Sequence, residues 1–320
     1  MRDLVRDSRP AYRPFRVRVS RVVSLSDHFT RVTFTGPDLD GFGTLGLDQR
    51  INLVFPIDGL GISDCGWDDA RTLADGSWYA RWRALPDGLR NPLRVYTVRA
   101  IRPDEFELDV DFVVHGDGPA ASWLAAAAPG DEIVVIGPDA RSENSDAGSD
   151  WHPGAAHDLL LVGDATAAPA IASILESLDP DRSAHAIIEI PDAADRIALR
   201  HSSRVTVRWV SRDGAAPGER LLPAVRAWVA DRPDLVGSTL AASAQRVIDT
   251  AAVDAATGAA ADPDAILWDV PEAPTGAGLY AWMAGEAGAI TSIRRYLVRD
   301  VGLDRGQVAF MGYWKRGRAG

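Results

Sequence analysis

The hydrophobic period of this chain changes once, and that change sets what it can fold into. From Phe15 to about Gly137 the sequence runs in short stretches that alternate apolar and polar residues, among them FRVRVSRVVSL, FTRVTFTG, RINLVFPI, LRVYTVRAI, EFELDVDFVV and DEIVVIGP. Alternation with period two puts successive side chains on opposite faces, as half-buried strands require. Such runs, broken by Gly, Pro and Asp, predict an antiparallel β-barrel. From about residue 158 the pattern differs: DLLLVGDATAAPAIASILESL reads as a buried strand, a tight turn and a helix, and AHAIIEIP and RVTVRWVS read as further buried strands. Strands alternating with helical patterns predict an α/β half built on a mostly parallel sheet. The stretch between, rich in Ser, Gly, Asp and Pro, has the composition of a domain crossing. The expected organisation is a β-barrel domain over residues 12–138, a linker over 139–157, and an α/β domain over 158–320 that ends in a tail.

Two segments stand outside this pattern. Residues 58–92 interrupt the barrel strands with too long a run for a hairpin, and they carry Trp67, Trp78 and Trp82. The simplest reading is an excursion packed on its own aromatic core; stacking on a bound ring is the sharper alternative. Residues 237–263 are alanine-rich and weakly patterned, and no chemistry is assigned to them.

Composition removes several classes of function. Thirty-four basic against 45 acidic residues leave a net charge of −11, the wrong sign for a chain that holds nucleic acid or anionic lipid electrostatically. Cys65 is the single cysteine, which excludes intrachain disulfides, CxxC redox pairs, thiolate zinc sites and cysteine-ligated iron–sulphur clusters. The histidines fall outside HxxxH and HExxH spacing, so no protein-ligated metal is expected. No apolar run has signal-peptide or membrane-spanning length, which points to a cytoplasmic protein without an integral membrane segment. Lys315 is the only lysine. Oligomeric state is not legible.

Four motifs carry chemistry. On the run Arg94-Val95-Tyr96-Thr97-Val98-Arg99, alternation places Arg94 and Tyr96 on one face and Thr97 on the other; an arginine, an aromatic ring and a hydroxyl this close can clamp a diphosphate, cover a ring and donate a hydrogen bond. Asp111-Phe112-Val113-Val114-His115-Gly116-Asp117-Gly118-Pro119-Ala120-Ala121-Ser122-Trp123 reads as a strand that passes through a glycine turn into a helix, whose free N–H groups suit phosphate. Gly163-Asp164-Ala165-Thr166-Ala167-Ala168-Pro169-Ala170 sits at a strand end and helix start, where open α/β sheets bind nucleotides, although it lacks GxGxxG and also reads as a plain strand–helix connection. Finally, Ala284-Gly285-Glu286-Ala287 repeats that pattern, and Gly312-Tyr313-Trp314-Lys315-Arg316-Gly317 closes the chain; Glu286 at a helix start also suits the helix dipole alone.

In their order, the RxYTxR strand, the HGDGPA turn ending in Trp, the GDxTAxPAI turn and the terminal AGE…GYW resemble the siderophore-interacting protein family, FAD-dependent ferric-siderophore reductases related to the ferredoxin-NADP reductase superfamily. The resemblance spans about Phe15 to Gly317. It implies a ferredoxin reductase-like fold, with FAD held by the barrel and NADH or NADPH by the α/β domain. Arg94 would hold the FAD diphosphate, Tyr96 would pack on the flavin and Thr97 would bond near it. Asp111, Phe112, Val113 and His115 would line the cofactor, and Gly118, Ala120, Ala121 and Ser122 would cradle its diphosphate. The chain has GPAA followed by Ser122 where members often have GPAS, which shifts or replaces one hydroxyl contact.

For NADH or NADPH the resemblance implies Gly163, Asp164, Thr166, Ala167, Pro169, Gly285 and Glu286. For an anionic ferric-siderophore it implies Lys315 and Arg316, together with a barrel-strand lysine of the type HxKLxFP. Here that strand reads Gln49-Arg50-Ile51-Asn52-Leu53-Val54-Phe55-Pro56, so Asn52 replaces the lysine and Arg50, on the same face, is the candidate to compensate. Arg294, Arg295 and Arg299 are further candidates, or simply a solvated helix face. Tyr313 and Trp314 would either regulate access to the flavin or anchor the tail. The expected function is ferric-siderophore reduction by NAD(P)H through FAD. The alternatives are a general NAD(P)H:flavin or ferric-chelate reductase, and a non-catalytic ferric-siderophore-binding protein.

Overall fold

The computed structural model describes residues 5–43, 45–114, 118–238, 240, 268–271 and 278–317. They fall into two units, Met1–Ser149 with Ala172–Ser177, and Asp150–Ile171 with Leu178–Gly320. The division lies inside the stretch 139–157. Residues 139–149 go with the first unit: Asp139 is buried against Arg13 (3.4 Å) and Arg141 (2.9 Å), and the Ser142 hydroxyl donates to the Arg9 carbonyl at 2.9 Å.

The first unit is a seven-stranded antiparallel sheet in the order β4-β3-β7-β1-β2-β6-β5. Its strands are β1 (Tyr12–Ser24), β2 (Phe29–Thr35), β3 (Arg50–Val54), β4 (Leu93–Thr97), β5 (Ala100–Arg102), β6 (Glu107–Val113) and β7 (Glu132–Pro138). The run LRVYTVRAI, expected as one strand, becomes two. β4 pairs with β3 and β5 pairs with β6, and between them the Val98 N–H donates to the Gln49 carbonyl while the Arg99 N–H donates to that of Asp109. One segment thus serves both edges of the sheet and bends it into an antiparallel half-barrel. Phe15, Val17, Val32, Phe34, Ile51, Leu53, Val98, Val110, Phe112 and Val135 fill its interior.

Residues 58–92 form the excursion, with helices α1 (Ala70–Asp75) and α2 (Trp78–Ala84). Trp67 and Trp78 are buried against Cys65, Val54, Val134 and Ile136, and the Trp82 indole donates to the Asn91 carbonyl at 3.0 Å. Packing, rather than an open stacking face, accounts for Trp67 and Trp78. Helix α3 (Pro119–Ala126) follows β6.

The second unit carries a six-stranded sheet in the order β10-β9-β8-β12-β13-β11. Strands β8 (Asp158–Gly163), β9 (Ser183–Ile190), β10 (Val205–Ser211), β12 (Leu279–Glu286) and β13 (Val308–Trp314) are parallel, and β11 (Trp268–Asp269) runs antiparallel on β13. Helices α4 (Ala168–Glu176), α5 (Leu221–Ala230) and α6 (Ala287–Arg295) accompany it. Leu221, Val225 and Trp228 of α5 and Ile290 and Ile293 of α6 pack on Leu160, Val162, Ala281, Met283 and Phe310. This is the expected parallel α/β half. Most of 237–263 lies outside the described residues, and among the described residues no helix is long and apolar enough to cross a membrane.

Candidate functional site

The candidate residues fall into one arrangement in each unit. In the barrel, Tyr96 points inward with Val98 and meets Phe112 of β6 at 4.5 Å between ring centroids. Phe55 stands edge-on to Tyr96 at 6.3 Å, and Trp123 of α3 reaches Phe55 at 5.3 Å and Phe112 at 5.8 Å. Burial pushes the Tyr96 phenol above its ordinary acidity range, against the pull of the Arg94 charge, so the ring stays a neutral surface with a donor at its tip.

Arg94 is half-buried, and among the described residues its hydrogen bond is to the adjacent Leu93 carbonyl at 2.9 Å. Among the described residues it meets no carboxylate, whereas Arg18, Arg21, Arg31, Arg99 and Arg102 are ion-paired. Thr97 is buried beside it. Helix α3 opens at Gly118 and Pro119, and among the described residues no side chain caps its start. A partially buried, uncommitted guanidinium, an aromatic floor and an uncapped helix N-terminus are the parts that a flavin dinucleotide's diphosphate and ring need, so these residues fit FAD.

Other candidates are committed elsewhere. The Asp111 carboxylate is buried and accepts from Arg31 at 2.7 and 2.9 Å, with Arg99 at 3.6 Å. It faces away from Phe112, on the outer side of β6, so any lining role belongs to its backbone. Val113 ends the strand, paired with Phe29. Ala120, Ala121 and Ser122 form the first turns of α3, where the Ser122 N–H donates to the Gly118 carbonyl. His115 lies outside the described residues.

In the second unit the motifs converge at the carboxyl ends of β8, β12 and β13, with Asp164 at their centre. It is 4% exposed and takes four donors. One oxygen, Oδ1, accepts from the Thr166 amide (2.9 Å) and hydroxyl (2.5 Å); the other, Oδ2, accepts from the Glu286 amide (2.8 Å) and the Trp314 indole (2.9 Å). Gly285 is required beside it. Its φ is +145°, and a Cβ there would stand 2.7 Å from the Asp164 carboxylate. Glu286 caps α6 by accepting from the Ala289 amide at 2.9 Å, the helix-dipole role raised by its sequence position. Gly163 admits the close approach of Ala167 and the Ala284 carbonyl. Ala167 and Pro169 are buried framework, and from Gly163 to Pro169 Thr166 is half-buried while its neighbours are buried.

The substrate candidates divide between the units. Arg50 and Asn52 are half-buried on β3, paired with Thr97 and Val95 of β4, and the Arg50 Nε approaches the Gly148 carbonyl at 3.3 Å. Lys315 and Arg316 follow β13, with the Arg316 amide donating to Glu286 at 3.3 Å and its guanidinium to the Pro217 carbonyl at 2.8 Å. Tyr313 stacks on Trp268 with ring centroids 6.0 Å apart. Arg294 lies over the Phe310 ring and pairs with Asp269; Arg295 and Arg299 are exposed. Among the described residues no group of three metal-ligating side chains occurs. Sequence reasoning missed the bond from Trp314 to Asp164. The two residues are 150 positions apart, and only the shared strand ends of one sheet bring them together.

The family described as siderophore-interacting protein matches residues 156–317, and its FAD-binding domain, described as siderophore-interacting FAD-binding domain, matches residues 18–142. The ferric vibriobactin reductase ViuB of Vibrio cholerae is 26% identical, over 92% of this chain and 86% of its own length. The NADPH-dependent ferric-chelate reductase of Escherichia coli is 30% identical, over 63% of this chain and 73% of its own. A siderophore utilization protein from T. fusca superposes with a TM-score of 0.65 at 26% identity, covering 98% of this chain and 96% of that one.

Proposed function

The chain belongs to the siderophore-interacting protein family, and from that premise we propose that it is an NAD(P)H-dependent, FAD-containing ferric-siderophore reductase. The observation that carries the reading is the half-buried Arg94, without a carboxylate partner among the described residues and set beside Tyr96, Phe112 and Trp123. A half-buried guanidinium beside an aromatic floor, with no carboxylate among the described residues, suits an anion that arrives from outside.

Arg94 and the start of α3 bind the diphosphate, Tyr96 and Thr97 flank the ring, and the neutral Tyr96 phenol presents a hydrogen-bond donor. Bound FAD supplies acceptance of the two electrons of a hydride and their release one at a time to ferric iron. Thr166, half-buried where the rest of its turn is buried, is the contact for the nicotinamide nucleotide. Lys315 and Arg316 attract the anionic ferric complex. No side chain is needed as a base, because reduction of Fe(III) transfers an electron and no proton. Hydroxamate and catecholate oxygens are hard ligands that hold Fe(III) far better than Fe(II), so the added electron loosens the metal. Use of NAD(P)H places the reaction in the cytoplasm.

Asn52 favours a second reading, a ferric-chelate reductase with broad substrate tolerance, because it leaves β3 one cation short of the family pattern. Titration of the apoprotein with FAD tests the first step of both. Arg94→Ala is expected to weaken FAD binding by about tenfold or more, the scale of one charge-assisted contact, and Lys315→Ala to leave it unchanged. Comparable losses in the two variants would remove Arg94 from the diphosphate.

A further inference from the structure

The Asp164 carboxylate is divided between two tasks. Among the described residues, Oδ1 serves its own turn, through the Thr166 amide and hydroxyl. Oδ2 serves distant groups, the amide of Glu286 and the indole of Trp314. Glu286 in turn accepts from the Arg316 amide at 3.3 Å while capping α6. Residues 314 and 316 are therefore both tied to the strand-end carboxylates, one on either side of Lys315. Gly285 keeps the arrangement possible, since any side chain at that position would displace the Asp164 carboxylate.

We infer that Asp164 is the positioning residue for substrate recognition: through Oδ2 it latches Trp314, and with Glu286 it fixes the backbone that presents Lys315 and Arg316 to the anionic ferric chelate. This deepens the reading of the tail as the substrate contact and rests on it. A long cationic side chain on a free chain end loses much of its attraction to the entropy of holding it still; a backbone fixed on both sides of the lysine has already met that cost. The GDxT turn thereby has a role in substrate binding that is separate from its place at the nucleotide crevice.

Asp164→Asn separates the two tasks. The amide oxygen still accepts from Thr166, but the NH2 group then faces two N–H donors at the Oδ2 position, and both bonds are lost. Trp314→Phe removes the same latch from the other side and keeps an aromatic ring. The probe is the gallium(III) complex of a tris-catecholate siderophore, a redox-inert stand-in for the ferric one, titrated against the FAD-loaded protein, with FAD affinity as the measure of intact folding. Each variant is expected to weaken binding of the gallium complex by about tenfold, and the double variant to be no weaker than the worse single one, because both remove one latch. In turnover with the ferric complex the loss is expected in KM rather than in kcat. Unchanged gallium affinity in both variants, or additive losses, would overturn the inference while leaving the reductase reading intact. Failure of the unsubstituted protein to bind the gallium complex would instead overturn the substrate reading on which the inference rests.

Discussion

A buried carboxylate with four donors fixes its surroundings more firmly than any one of its bonds, because moving it leaves several N–H and O–H groups unpaired together. Asp164 stands in that position, and Gly285 is its nearest constraint. Gly285→Ala is therefore expected to cost about 1–3 kcal/mol of stability, from the left-handed backbone and the displaced carboxylate together, read from the urea midpoint. A change below a few tenths of a kcal/mol would mean that the carboxylate has room to move. Arg94 shows the opposite condition, a charged group that its own fold leaves uncommitted. Alternation of the RVYT run gave the face that Arg94 shares with Tyr96, and the resemblance gave its expected role. Asp111 was read in the same way from its place in a motif, yet its carboxylate belongs to Arg31 and Arg99. Alternation told which face it takes; it could not tell that the outer face carries the ion pairs.

That outer face is a property of four strands. Arg21 and Arg102 hold Glu107, Arg102 and Thr33 hold Asp109, and Arg31 and Arg99 hold Asp111, in a ladder across β1, β2, β6 and β5. The Arg21 and Arg102 guanidiniums keep Glu107 below the usual carboxylate range; Asp109 would be raised by burial, but Arg102 and Thr33 outweigh it and hold it low. Carboxylates depressed in the folded state give stability that is fully present above their unfolded values near pH 4 and is lost as pH falls through the folded ones. Glu189, raised by burial, works in the opposite direction and gains stability on protonation. The urea midpoint is expected to fall between pH 5 and pH 3 (about the window of the unfolded carboxylates), and less steeply in Arg102→Gln. Equal slopes would take the ladder out of the acid response. In the excursion, Trp67 is fully buried, and Trp67→Ala is expected to cost about 3–5 kcal/mol, a core truncation. An exposed stacking platform would lose far less.

Across the molecule, the parts legible in the sequence were those written in local period: barrel strands with period two, buried strands followed by glycine turns, and a helix after each turn. The split of LRVYTVRAI into β4 and β5 was not legible, because the change of pairing partner at Val98 and Arg99 depends on where β3 and β6 end. Nor was the convergence of Asp164, Glu286 and Trp314, which only the order of β8, β12 and β13 in the sheet produces. Motif order compensated in part: two of the four motifs that give the family, GDxTAxPAI and AGE…GYW, also mark the residues at these strand ends. The central claim is that this chain carries electrons from a nicotinamide nucleotide through FAD to ferric iron, and the absorbance of the FAD-loaded protein tests it most directly. Under anaerobic conditions the flavin bands are expected to bleach with NADH or NADPH and to return when a ferric-siderophore is added, two ferric ions being consumed for each nucleotide. A protein that binds no flavin, or whose flavin bands stay unchanged with both nucleotides, would contradict the account.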